Sequence, residues 1–185
     1  MKHVTIIATS LSEDSKSQLL ARKFEEILSA GGTSCERFDL REMNLPMAGP
    51  DQSWDHPDAK ALGAAVKRSS HVVFALPIYC YDVNAAAKNV VELIGRTFTK
   101  KIVGFICSAG GSNSYMSVMG LANHLMLDFR SIIVPRFVYA DGDGWVDDRS
   151  FAPQIQERLE RLRDDLGEIQ VVPAGAASQV SQAMW

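Results

Sequence analysis

Apolar residues fall along this chain in short continuous runs separated by stretches of helical spacing. Val4 to Ala8, His71 to Leu76, Lys101 to Cys107 and Ile132 to Tyr139 are nearly all apolar and rich in β-branched or aromatic residues. Runs of this kind suit strands buried on both faces of a sheet. Cys35 to Leu40 is more polar and reads as an outer strand. Pro77 has no backbone donor and is expected to end the third run. Between the runs, Leu19, Leu20, Phe24, Ile27 and Leu28 recur at helical spacing up to Gly31 and Gly32. Ala61, Leu62, Ala65 and Val66 repeat the pattern behind a cap at Asp58 or a neighbour. A third helix leads to Leu93 and Ile94, a fourth covers Val118 to Phe129, and a fifth carries Ile155, Leu159, Leu162 and Leu166 on one stripe.

Strands alternating with helices predict one open, largely parallel α/β sheet with helices on both faces. With five strands the flavodoxin-like order 2-1-3-4-5 fits best, and its switch point lies between the first and third strands. The loops after Ala8 and Leu76 then lie side by side, with the loop after Cys107 next to them. Residues 1–168 form the predicted domain. Residues 169–185, rich in Ala, Gly, Ser and Gln, are expected to be a flexible or partner-bound tail. Arg41 to Pro57, with three prolines and a glycine, reads as a long irregular excursion.

A chain of 185 residues with 46% hydrophobic and 22% charged residues suits one well-cored domain. A net charge of -3 supplies no footprint for nucleic acid or an anionic membrane. The sequence offers no signal-peptide pattern and no run long enough to span a bilayer, so a cytoplasmic location is expected. Cys35, Cys80 and Cys107 lack any C-x-x-C pairing and are expected to be free thiols. His3, His56, His71 and His124 are scattered, and Asp141 to Asp148 lacks the glycine and glutamate of an EF-hand loop, so no metal ligand is nominated.

The candidate chemistry lies in the three loops. Thr9 to Ser17 presents Ser10, Ser12, Ser15 and Ser17 before a helix, which suits either a phosphate cradle or a set of helix caps. It lacks the glycine patterns of a P-loop or a dinucleotide fold. Pro77 to Val83 carries Ile78, Tyr79, Cys80 and Tyr81, whose rings could wall a planar ligand or simply pack. Ser108 to Ser112 contains Gly110 and Gly111, compatible with close approach of a flat ring or with a plain tight turn.

In order and spacing, the three loops resemble the NADPH-dependent FMN reductase family. Its phosphate loop, G-S-x-R-x-x-S-x-N-x-x-L-A, is matched at Ser10, Ser15, Leu20 and Ala21. Its second motif, P-E-Y-N-G-S-I-P-G-x-L-K-N, runs without a gap along Pro77 to Asn89 and is matched at Pro77, Tyr79, Lys88 and Asn89. Its third, S-x-G-G, stands as Ser108 to Gly111. The resemblance implies FMN, with its phosphate on Ser10, Ser15 and Ser17 and its ring between Pro77 to Tyr81 and Ser108 to Gly111. It also implies NADPH or NADH as donor, a small electron acceptor, and a homodimer or homotetramer.

Departures from the motifs are specific. Ser12 replaces an arginine and Ser17 an asparagine, so the phosphate would be held either more weakly, with FMN exchangeable, or by hydroxyls and amides alone. Ile78, Cys80 and Tyr81 replace glutamate, asparagine and glycine. If that glycine needs positive φ, Tyr81 is strained or the loop is reshaped. The flavin would carry the chemistry, so no catalytic acid or base is nominated. The expected function is an FMN-dependent NAD(P)H oxidoreductase; the alternative is a flavin-binding electron carrier or interaction module that does not use NAD(P)H.

Overall fold

Successive residues of the central strand β3 (His71–Tyr79) enter opposite halves of the core. Val72, Phe74 and Leu76 face a layer made by α2 (Pro57–Arg68), α3 (Ala85–Ile94) and α4 (Met119–Phe129). Val73 and Ala75 face α1 (Lys16–Ala30) and α5 (Pro153–Glu168). This alternation, with both faces apolar, buries a parallel strand between two helical layers. The computed structural model describes residues 3–171. Most of the predicted tail lies outside the described residues.

The sheet adds β1 (Val4–Ala8), β2 (Cys35–Asp39) and β5 (Ile102–Ser108) to β3, all in parallel. Two short strands, β6 (Ile132–Ile133) and β7 (Val138–Ala140), pair with β5 beyond them. The order is β2-β1-β3-β5 followed by β6 and β7, which is the expected flavodoxin-like topology. The fifth predicted strand is therefore divided. Pro135, between the two pieces, cannot donate to the ladder and separates them.

Pro77 does not end β3. Thr9 N–H donates to Ala75 O at 2.9 Å, so the polar groups of Ala75 face the β1 side. Two residues later Pro77 faces the same side, where β1 has already turned away, and the missing N–H costs no ladder bond. The strand continues, paired to β5 through Pro77 and Ser108, then folds back on β4 (Asp82–Val83). The second loop expected from sequence, Pro77 to Val83, is thus largely a tight hairpin.

Local signals set the helix ends. Ser15 caps α1 by accepting from Gln18 N–H, and Gly32, with φ of 71°, follows its end. His56, not Asp58, is the cap of α2; its Nδ1 accepts from Asp58 N–H at 3.3 Å. The Asp58 carboxylate instead takes the N–H of Asn44 at 2.6 Å and ties down the irregular excursion.

Candidate functional site

All three predicted loops meet at the carboxyl end of the sheet, where β1 and β3 diverge to their crossovers. Asn84, the cap residue of α3, joins the first two. Its Oδ1 accepts from Thr9 Oγ1 at 2.7 Å and its Nδ2 donates to Thr9 O at 2.8 Å. Both residues are buried, so this reciprocal pair fixes the spacing of the loops. The third loop hangs from β7: Ala109 N–H donates to Ala140 O, and Tyr139 Oη bonds Gly111 O and Ser114 Oγ.

The first loop is rich in free donors. Ser10, Ser15 and Ser17 are buried, while Ser12 is exposed. The Ser15 and Ser17 hydroxyls lie 3.0 Å apart, and Ser10 Oγ accepts from Ser12 N–H. Among the described residues, the backbone N–H groups of Leu11, Glu13, Asp14, Lys16 and Ser17 reach no protein acceptor. Such a run beside a helix N-terminus forms a concavity suited to an anion. Three side chains outside the loop brace it. Asp39, at the end of β2, accepts from Gln18 Nε2 at 2.7 Å and from Arg41 Nε at 3.0 Å. Gln18 also reaches Ala8 O and Ser10 O, and Arg41 reaches Ser12 O and Glu13 O. Burial pushes the Asp39 carboxyl upward, but the hydrogen bonds and charge of Arg41, with Arg37, hold it below the ordinary carboxylate range.

The second loop departs most from expectation. Tyr79 pairs with Asp82, leaving Cys80 and Tyr81 as the two central residues of the hairpin, with φ of 51° and 60°. Positive φ at both positions defines a type I′ turn, which favours Asn-Gly. A cysteine and a tyrosine occupy it here, so the expected strain is present at Tyr81 and extends to Cys80. Ile78 is buried, whereas Tyr79 and Tyr81 are 53% and 69% exposed, so neither ring is serving the core. Ile78, Cys80 and Tyr81 face Gly111, Asn113 and Ser114 across a cleft of about 260 Å³.

Gly110 and Gly111 are not needed for a turn. Neither has positive φ, and a Cβ at either position would meet no atom within 4 Å. Neither backbone strain nor crowding by the protein explains glycine here, and open space above the backbone remains. Ser108 is buried where β5 meets Pro77 and Ala140. Of the three cysteines, all unpaired, only Cys80 is exposed; Cys107 is fully buried and desolvation raises its thiol pKa far above the ordinary value. The site residues not foreseen from sequence are Asn84, Gln18, Asp39, Arg41, Asn113, Ser114 and Tyr139. Asn84 directly before Ala85 is a capping signal, and Asp39 with Arg41 follows a strand end, but their partners are distant in sequence.

The sheet order β2-β1-β3-β5, with three loops gathered at the carboxyl end of the sheet, defines a flavodoxin-like α/β protein. The chain belongs to the NADPH-dependent FMN reductase family, whose model matches residues 1–145. It is therefore an NAD(P)H-dependent FMN oxidoreductase, with FMN as cofactor and a reduced nicotinamide nucleotide as donor. No match was found among curated proteins. Solved structures share the fold at low identity. The NAD(P)H:(acceptor) oxidoreductase of Paracoccus denitrificans, a flavoenzyme, is 18% identical with a TM-score of 0.71, covering 91% of this chain and 98% of its own. An NADH:FMN oxidoreductase in its apo form is 11% identical with a TM-score of 0.74, covering 95% and 94%. The NAD(P)H:quinone oxidoreductase of Methanothermobacter marburgensis is 18% identical with a TM-score of 0.63, covering 92% and 98%. Among the described residues, no helix is long and apolar enough to cross a membrane.

Proposed function

We propose that the three loops hold FMN and that the enzyme passes electrons from NAD(P)H to a small acceptor: a quinone, a free flavin, a metal oxyanion or oxygen. The observation that carries the placement is the pairing of two unexplained features. A run of unused backbone donors lies in the first loop, and two glycines with open space above them lie in the third. A phosphorylated ligand with a flat ring uses both.

In this reading Ser10, Ser12, Ser15 and Ser17, with the free N–H groups around them, bind the phosphate. The ring lies beside Pro77, Ile78, Tyr79, Cys80 and Tyr81, with Ser108, Gly110 and Gly111 on its other side. Bound FMN supplies the hydride and electron chemistry. The protein orients the ring, offers backbone groups to its polar edge, and limits what can stack on it. The Asn84 and Thr9 pair keeps phosphate and ring contacts in register. Tyr81 stands at the cleft mouth, where it selects flat acceptors and restricts the approach of nicotinamide. Assembly as a homodimer or homotetramer belongs to the same proposal. Exposed Trp54 and Leu127 beside the groove between α2, α3 and α4 support it, and light scattering on the eluted protein tests it.

The deciding experiment is an absorbance spectrum of the protein reconstituted with FMN, followed anaerobically after NADPH and then NADH. A flavin band bleached by either nucleotide is expected. Absence of a band would overturn the reading, and a band that neither nucleotide bleaches would favour the electron carrier. Rapid bleaching equal in wild type and Tyr81→Gly would count against occlusion by Tyr81.

A further inference from the structure

We infer that Arg41 is a positioning residue for the FMN phosphate: with Asp39 and Gln18 it turns the peptide planes of the first loop so that their N–H groups converge on an anion. The inference rests on the proposed placement of FMN. It concerns a side chain that lies outside all three loops and that need not touch the cofactor.

The argument is geometric. In a trans peptide the carbonyl and the following N–H share one plane and point in opposite directions. Gln18 Nε2 holds Ser10 O at 3.3 Å, and Arg41 Nη1 holds Ser12 O at 3.3 Å and Glu13 O at 3.2 Å. The N–H groups of those same peptides belong to Leu11, Glu13 and Asp14. All three are among the donors without a protein acceptor. The brace therefore consumes the carbonyl side of three peptides and leaves their donor side free. Arg41 can do this because its guanidinium is itself fixed. Asp39, with a side chain only 1% exposed, takes its Nε and Nη2 in a fork and shares Oδ1 with Gln18.

This arrangement also accounts for Ser12, which stands where the family motif has arginine. A cation in the loop would meet the phosphate directly. Here the cation enters from the end of β2 and acts on the backbone, so a point charge alone could not replace it. Lysine lacks the planar fork needed to span Asp39 and two carbonyls together.

Flavin fluorescence titration of the apoprotein with FMN and with riboflavin, which lacks the phosphate, tests the idea on wild type, Arg41→Ala and Arg41→Lys. Wild type is expected to prefer FMN. Arg41→Ala and Arg41→Lys are each expected to weaken FMN binding by about tenfold or more, with riboflavin nearly unchanged. A wild type that binds both ligands equally would overturn the phosphate placement itself. A wild-type preference that survives in Arg41→Ala, or that Arg41→Lys restores in full, would overturn the role of Arg41. Equal losses for both ligands would also overturn it, since general loosening of the fold does not discriminate the phosphate. If Arg41→Ala does not fold, Arg41→Lys alone decides, because it keeps a cation beside Asp39.

Discussion

Replacing Cys80 and Tyr81 by Asn and Gly should stabilise the protein. The two residues form a type I′ turn with φ of 51° and 60°, a conformation that costs a side chain with a Cβ about 1 to 2 kcal/mol per residue. Glycine at 81 removes that cost but adds about 0.5 to 1 kcal/mol of backbone entropy to the folding penalty. Asparagine at 80 tolerates the left-handed region and relieves part of the remainder. Little packing is lost in exchange, since Cys80 is exposed and Tyr81 is 69% exposed. The net gain for the pair is about 1 to 2 kcal/mol, which in a domain of this size raises the melting temperature by about 3 to 6 °C. Urea unfolding should show a higher midpoint with an unchanged slope. Tyr81→Ala is the control: it removes the ring and keeps the Cβ, so it should not share the gain. A double variant no more stable than wild type, or an alanine variant equally stabilised, would refute the strain argument.

Three further outcomes follow from other sites. Gly111→Val places a side chain in open space on extended backbone, so thermal stability should stay within about 0.5 kcal/mol while FMN binding by fluorescence titration is lost. Asn84→Ala removes two buried hydrogen bonds to Thr9 and should lower the unfolding free energy by about 2 to 3 kcal/mol in urea. His71 is buried in β3, and desolvation, outweighing backbone hydrogen bonds, lowers its pKa from 6.5. The unfolded chain then binds the proton more tightly, so stability should fall as pH drops through about 6.5 toward the folded pKa. Urea midpoints at pH 7.5 and 5.5 should differ more for wild type than for His71→Val.

Much of the fold was legible because buried parallel strands and amphipathic helices leave strong local patterns. Val4 to Ala8 and Ile102 to Ser108 fall where their apolar runs lie. Pro77 misled because its cost depends on whether β1 is still alongside, which only the register decides. The hairpin at Cys80 and Tyr81 was hidden for a related reason: its turn residues carry none of the usual glycine or asparagine signal, so strand pairing overrides local preference. The meeting of the three loops at one end of the sheet was legible too, because it follows from the strand order. The brace formed by Gln18, Asp39 and Arg41 was not, because it joins the ends of two strands and a helix through hydrogen bonds that leave no periodic trace.

The two margins of the sheet have a consequence for how these molecules meet one another. An unpaired strand edge is a template for adding a strand from a neighbouring chain. At one margin β2 is only five residues long and carries Glu36 and Arg37, already engaged by Arg68 and Glu25. At the other, β6 and β7 are shorter still and are parted by Pro135. One margin is short and charged and the other is interrupted, so neither offers a long bare ladder and the chain resists runaway strand-to-strand association.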